Sequence, residues 1–245
     1  MSDEKDSTME EILRQRRMNI IDLRNSDDTT IREILLLINP KEISKLCSTS
    51  QKFNRICTDH SFWRVKVKRD YGIERIYGTT WKGTAINLHK VNMINLNKEW
   101  IDGRTYAEIV KEVLNQKDDV KYLENLQYEH HPKYIPWVSI FNGNIFISDE
   151  DMHEQIVNQL GRDFTDEEIE TMKNIYTSEF AIIYRSFFEI KDSYVIPLSR
   201  EIYLEDNIHF DESLAQILKP FIDVYPYIMF FSSLPDNELN NISDY

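Results

Sequence analysis

Residues 29–72 read TTIREILLLINPKEISKLCSTSQKFNRICTDHSFWRVKVKRDYG, and the spacing of their apolar side chains predicts the fold. Ile31, Ile34, Leu35 and Ile38 fall at i, i+3, i+4 and i+7, which is one face of a helix. Asn39-Pro40-Lys41-Glu42 then restarts helical structure. Asn39 can cap, Pro40 suits the first helical position, and Glu42 stands where a capping-box acid belongs. A second helix carries Ile43, Leu46 and Cys47, and a third repeats that spacing with Phe53, Ile56 and Cys57. With Ser61 as a further cap, a fourth presents Phe62 with Val65 and Trp63 with Val67. Gly72 follows as a natural helix stop. The expectation is a run of four short amphipathic helices, and hence a mainly α protein.

Cys47 and Cys57 occupy the same slot in successive helices, where small buryable side chains are needed. A zinc site would want further Cys or His at short spacing, and only His60 lies nearby, so packing is the reading and no metal is expected. Two cysteines in 245 residues do not make a disulfide framework, and a reducing compartment, cytoplasm or nucleus, is the simplest setting. About 40 residues bury too little surface to be secure alone. The expectation is therefore that this module leaves apolar side chains open until a partner or the following domain covers them.

The ordered series in residues 29–72 resembles an F-box: an Ile/Leu helix, a Pro-Lys-Glu-Ile restart, a Leu-Cys pair, Phe-x-x-Ile-Cys-x-Asp, then Phe-Trp. It is most similar to the F-box-like proteins of giant DNA viruses, where C-x-T/S-x-x-x-F-N-x-I-C and F-W…RDYG recur. Residue usage agrees with an AT-rich source, with 31 Ile and 18 Asn against 4 Ala and 6 Gly. The chain departs from the family's Leu-Pro opening, carrying Asp28-Thr29-Thr30 instead. The resemblance implies a module that docks on the Skp-type adaptor of a cullin–RING ubiquitin ligase. Ile31, Ile34, Leu35, Ile38, Pro40, Ile43 and Leu46 would line or support that contact, while Cys47, Phe53, Ile56, Cys57, Phe62 and Trp63 would pack the module. Residues 31–72 hold nine basic and four acidic side chains, net +5, which suits an acidic adaptor.

Outside this segment the chain is acidic, with a net charge of -13 overall and -15 over residues 73–245. That argues against general affinity for nucleic acid or anionic membrane. No run of 18 apolar residues exists, so no transmembrane helix is expected. Residues 1–28 read as an acidic, flexible arm containing one short helical possibility, MEEILRQRRMNIIDL. Residues 73–104 read as a connector packed by Tyr77, Trp81 and Trp100, and residues 105–245 as an α-rich domain that captures a target. Helices are expected at 105–116 and 119–128. Asn142-Gly143 predicts a hairpin over 137–148, the one β element. A helix is expected from about Glu150 to Leu160. Thr165 with Glu168 forms a capping box for a helix continuing through IYTSEFAIIYRSFFEI, apolar on nearly every side and so central to its domain. The segment around Pro220 and Pro226 reads as a helix broken at both prolines.

Chemistry-bearing patterns are sparse. Asp149, Glu150 and Asp151 suit a helix N-terminus better than a metal site, and His130-His131 reads as a surface pair. No nucleophile elbow, P-loop, G-x-G-x-x-G or H-E-x-x-H occurs. The expected function is that of a non-catalytic adaptor without cofactor, recruiting an unidentified protein target. The alternative is an interaction protein that keeps the F-box-like fold without ligase coupling.

Overall fold

The computed structural model describes residues 8–130, 161–162, 165–191, 223–235 and 238–239. The protein is mainly α: twelve helices account for nearly all regular structure among these residues, and their single β contact is an isolated bridge between Glu99 and Thr105. The predicted hairpin at 137–148, the helix at 150–160 and the acidic cluster 149–151 lie outside the described residues. The chain divides into two compact units, Met1–Asn97 and Lys98–Tyr245.

The first unit opens with α1 (Met9–Gln15) and α2 (Ile20–Asn25), where the sequence suggested a loose arm. Both are secured by reciprocal capping boxes, Thr8 with Glu11 and Asn19 with Asp22, which satisfy two otherwise orphaned N–H groups each. They bury Ile12, Leu13 and Leu23. The four predicted helices follow as α3 (Asp28–Leu37), α4 (Pro40–Cys47), α5 (Gln51–Cys57) and α6 (His60–Tyr71). Asn39 caps α4 and Ser50 caps α5. The cap of α6 is Asp59 rather than Ser61, its carboxylate accepting both the N–H and the O–H of Ser61.

Gly72 ends α6 in the left-handed region at φ 70°. A Cβ there would stand 3.0 Å from Leu96 Cβ and 3.2 Å from the Asn97 nitrogen, so both conformation and space demand glycine. The close approach lets Asn97 donate its amide to the carbonyls of Lys68 and Arg69 at 2.8 and 3.0 Å, satisfying the end of α6. Within the supposed connector lies α7 (Trp81–Lys90), capped by Thr80 and packed on α4 and α6. Its Ala85 and Leu88 are fully buried.

The second unit contains α8 (Tyr106–Leu114), α9 (Asp119–His130), α10 (Asp166–Ile175), α11 (Ser178–Ile190) and α12 (Tyr225–Ser232). The Thr165–Glu168 capping box is present. The long helix expected after it is instead two, because Thr177 takes the cap position of α11 and accepts the Phe180 N–H at 3.2 Å. A threonine hydroxyl that competes for backbone in this way starts a new helix rather than extending the old one. Pro226 stands in the first turn of α12 instead of breaking it, where its missing N–H costs nothing. Helix α11 is central, packed by α8, α9 and α12. Its Phe180, Ile183 and Phe187 are buried, and Ser186 returns its hydroxyl to the Ile182 carbonyl at 2.7 Å.

Candidate functional site

The seven residues expected to line a docking face sit together on α3, the α3–α4 turn and α4, and none is open. Ile31, Leu35, Ile38 and Ile43 have 0% exposure, Ile34 has 4% and Leu46 has 6%; Pro40 is buried as well. The expectation of an unsheltered apolar face is therefore corrected. Helix α5 packs on both α3 and α4, α7 packs on α4, and α2 packs on α3. The module completes its core from its own flanks. The signals for these covering helices were in the sequence: Thr8-x-x-Glu11 and Asn19-x-x-Asp22 are capping-box spacings, and Trp81, Ala85 and Leu88 fall at i, i+4 and i+7.

Phe53, Ile56, Phe62 and Trp63 are also buried. Trp63 donates its indole N–H to the Cys57 carbonyl at 2.8 Å and meets Phe62 edge-on at 5.3 Å. The two cysteines depart from the sequence reading, for Cys47 and Cys57 form a disulfide, with their Cα atoms 5.9 Å apart. Occupying the same slot on two helices packed side by side brings the sulfurs together, and the Cα separation lies in the usual range for a bridge. The bond ties the ends of α4 and α5 across a separation of ten residues. Closing so short a loop removes about 2–3 kcal/mol of chain entropy from the unfolded state. Reduction, or replacement of both cysteines by serine, is accordingly expected to lower stability by about that amount, read as a shift in the urea midpoint.

Polar ties hold the helices in register. Lys66 is completely buried on α6, its ammonium 2.6 Å from Asp70 Oδ2 and 2.6 Å from the Leu36 carbonyl near the end of α3. Burial pushes its pKa below the usual lysine range, against the opposing pull of the Asp70 charge. Nothing in the sequence reading singled this pair out. Arg55 pairs with Asp28, and Arg32 reaches Asp59 at 2.5 Å. The Arg32 hydrogen bond, helped by those from Ser61, depresses the Asp59 pKa from 3.8 to about 2. A depressed carboxylate contributes stability that is whole above its unfolded pKa and is lost as pH falls through the folded one. The melting temperature should therefore drop between pH 3.8 and about 2, and Asp59→Asn, which keeps the cap but not the charge, should flatten that limb.

Apart from the buried Lys66–Asp70 pair, several of the module's cations point outward. Lys41, Lys45, Arg55, Arg64 and Lys68 are exposed. Arg64 lies 5.9 Å over the Trp81 ring, and beside it Val65 is 51% exposed. These cations are carried by α4, α5 and α6.

In the second unit, Trp100 donates to the Ile175 carbonyl at 3.1 Å and packs between Phe180 and His130, with ring centres at 4.8 and 5.0 Å. His130 is half-buried at the end of α9 and packs against Trp100 instead of standing in a loop, and His131 lies outside the described residues. Arg104 gathers Asp102, Glu112 and the Tyr122 hydroxyl. A groove of about 480 Å3 between α11 and α12 is lined by Glu189, Pro226, Tyr227, Phe230 and Phe231. Among the described residues no three His, Cys, Asp or Glu side chains converge as metal ligands, and no helix is long and apolar enough to cross a membrane.

With these helices in place, comparison with known families finds a match that falls on the module. The F-box domain profile matches residues 27–65. The match begins at Asp27, the cap of α3, and ends within α6, so α1, α2 and α7 lie outside it. No curated protein and no solved structure matches the chain.

Proposed function

We propose that the chain is a non-catalytic substrate adaptor of a cullin–RING ubiquitin ligase. Its F-box domain would dock on the Skp-type subunit, and the unit from Lys98 onward would hold a protein target. The observation that carries this reading is the coincidence of the F-box match with a complete helical module, α3 to the middle of α6. Such a protein works by tethering: holding a target beside the transfer machinery raises the effective concentration of its lysines without chemistry of its own. The net charge of +5 over residues 31–72 supports encounter with an acidic adaptor. The second unit carries 12 basic and 29 acidic side chains over residues 98–245, which favours a target with a basic surface. On this reading the chain belongs beside the F-box-like proteins of giant DNA viruses, supported by residue usage and the C-x-T-x-x-x-F-N-x-I-C series. It would then act on a host factor in the cytoplasm or nucleus, where the Cys47–Cys57 bond faces a reducing thiol pool.

The experiment is co-elution and calorimetric titration of the full-length protein with purified Skp-type adaptor. A one-to-one complex is expected. The burial of all seven docking residues favours a second reading, an F-box fold without ligase coupling. That reading predicts no adaptor complex and unchanged ubiquitination of whatever the second unit binds.

A further inference from the structure

We infer that α1 and α2 form a releasable strap that shuts the adaptor-docking face of the F-box domain. The inference rests on the adaptor reading above and concerns how that site is regulated. Both strap helices lie outside the matched residues 27–65, and both are tied back to them. Helix α2 lies on α3, and the Met9 N–H donates to the Glu42 carboxylate at 2.7 Å. Glu42 is the third residue of α4, placed to reach back to its own cap; it holds the strap instead. The Ser26 carbonyl, just past α2, accepts from the Lys52 ammonium on α5. The strap therefore touches α3 and α4, which carry the docking residues, and α5, which packs on both.

Its hold is slight. Three apolar side chains, Ile12, Leu13 and Leu23, are its buried anchors. The helices are seven and six residues long, too short to persist without packing. Arg14, Arg16, Arg17 and Arg24 all face solvent, as does Ile21 at 63% exposure. The two helices join at Arg17, whose φ of 53° marks a tight turn. A segment with few buried contacts and its own turn opens at lower cost than the core beneath it.

An adaptor that reads the α3 residues Ile31, Ile34 or Leu35 beneath α2 meets them only in the open state. Its apparent affinity is then reduced by the fraction open, so a strap closed nine-tenths of the time weakens binding about tenfold. Any factor that captures α1 or α2 would switch the protein on.

The test uses the full-length protein, purified Skp-type adaptor, and the variants Ile12→Asp/Leu13→Asp and Glu42→Gln. The double variant is expected to bind the adaptor about tenfold or more tightly than wild type, with Glu42→Gln between them. In wild type, adding adaptor is expected to speed hydrogen exchange over residues 9–25, a readout that needs no variant to fold. Equal affinities with unchanged exchange over 9–25 would overturn the strap and leave the adaptor reading standing. Absence of binding by wild type and both variants would overturn the adaptor reading, and the strap with it.

Discussion

Replacing Lys66 by alanine is expected to destabilise the first unit by about 3–5 kcal/mol, the usual loss when one partner of a buried ion pair is removed. The side chain has no exposed surface, and its Asp70 partner is 5% exposed. The ammonium also serves the Leu36 carbonyl, so one cation satisfies a carboxylate on its own helix and an acceptor on α3. Alanine leaves both in a medium that does not hydrate them. Since small units hold about 5–15 kcal/mol in all, such a loss consumes much of the margin. Lys66→Met/Asp70→Leu should recover most of it, because buried pairs are replaceable by apolar side chains of similar volume. Urea titration followed by circular dichroism reads the difference. A midpoint for Lys66→Ala within error of wild type would show that the pair is not structural.

How much of this was written in the sequence depends on the kind of signal. Helices α3 to α6 were legible because each carries a full apolar stripe between residues that cap and stop it: Asn39 with Pro40, Ser50, and Gly72. Helices α1 and α2 showed only as one short helical possibility in a loose arm because they are one to two turns long, so the stripe is only Ile12 and Leu13 or the single Leu23. Their capping boxes were the better clue. Helix α7 was hidden by a mixed surface and by Gly83 in its first turn. The junction at Thr177 was misread because the apolar residues run on through it, and periodicity does not show where a hydroxyl takes over a backbone N–H.

The candidate site was misjudged for a related reason. Periodicity tells which side chains want burial and is silent on what buries them, so a face closed by α2, α5 and α7 looks identical to one awaiting a partner. The disulfide was excluded on compositional grounds, two cysteines being too few for a framework. The matching slots of Cys47 and Cys57 on neighbouring helices were the geometric hint that outweighed it. Lys66–Asp70 was one i, i+4 pair among many charges, and only packing distinguishes a buried pair from a solvated one. These errors share a consequence for function. An apolar stripe shows which side chains seek cover, and in the folded chain Ile31, Leu35, Ile38, Ile43 and Leu46 already have it.

In the second unit, Trp100→Ala is expected to cost about 3–5 kcal/mol, the range for removing a large buried aromatic side chain. Trp100 is 4% exposed and lies where three segments meet: its ring packs on Phe180 of α11 and His130 of α9, and its N–H holds the last carbonyl of α10, that of Ile175. The neighbouring Tyr106–Thr177 hydroxyl bond at 2.5 Å fixes the start of α11 from the side of α8, so the two contacts together set how α8, α9 and α11 meet. Alanine removes the ring from that junction and strands the Ile175 carbonyl. Trp100→Phe keeps most of the packing and loses only the donor, and should cost about 1–3 kcal/mol. Hydrogen exchange locates the loss: protection should fall over α8, α10 and α11 in Trp100→Ala. If protection there matched wild type, Trp100 would be a bystander and the groove between α11 and α12 would owe its shape to other contacts.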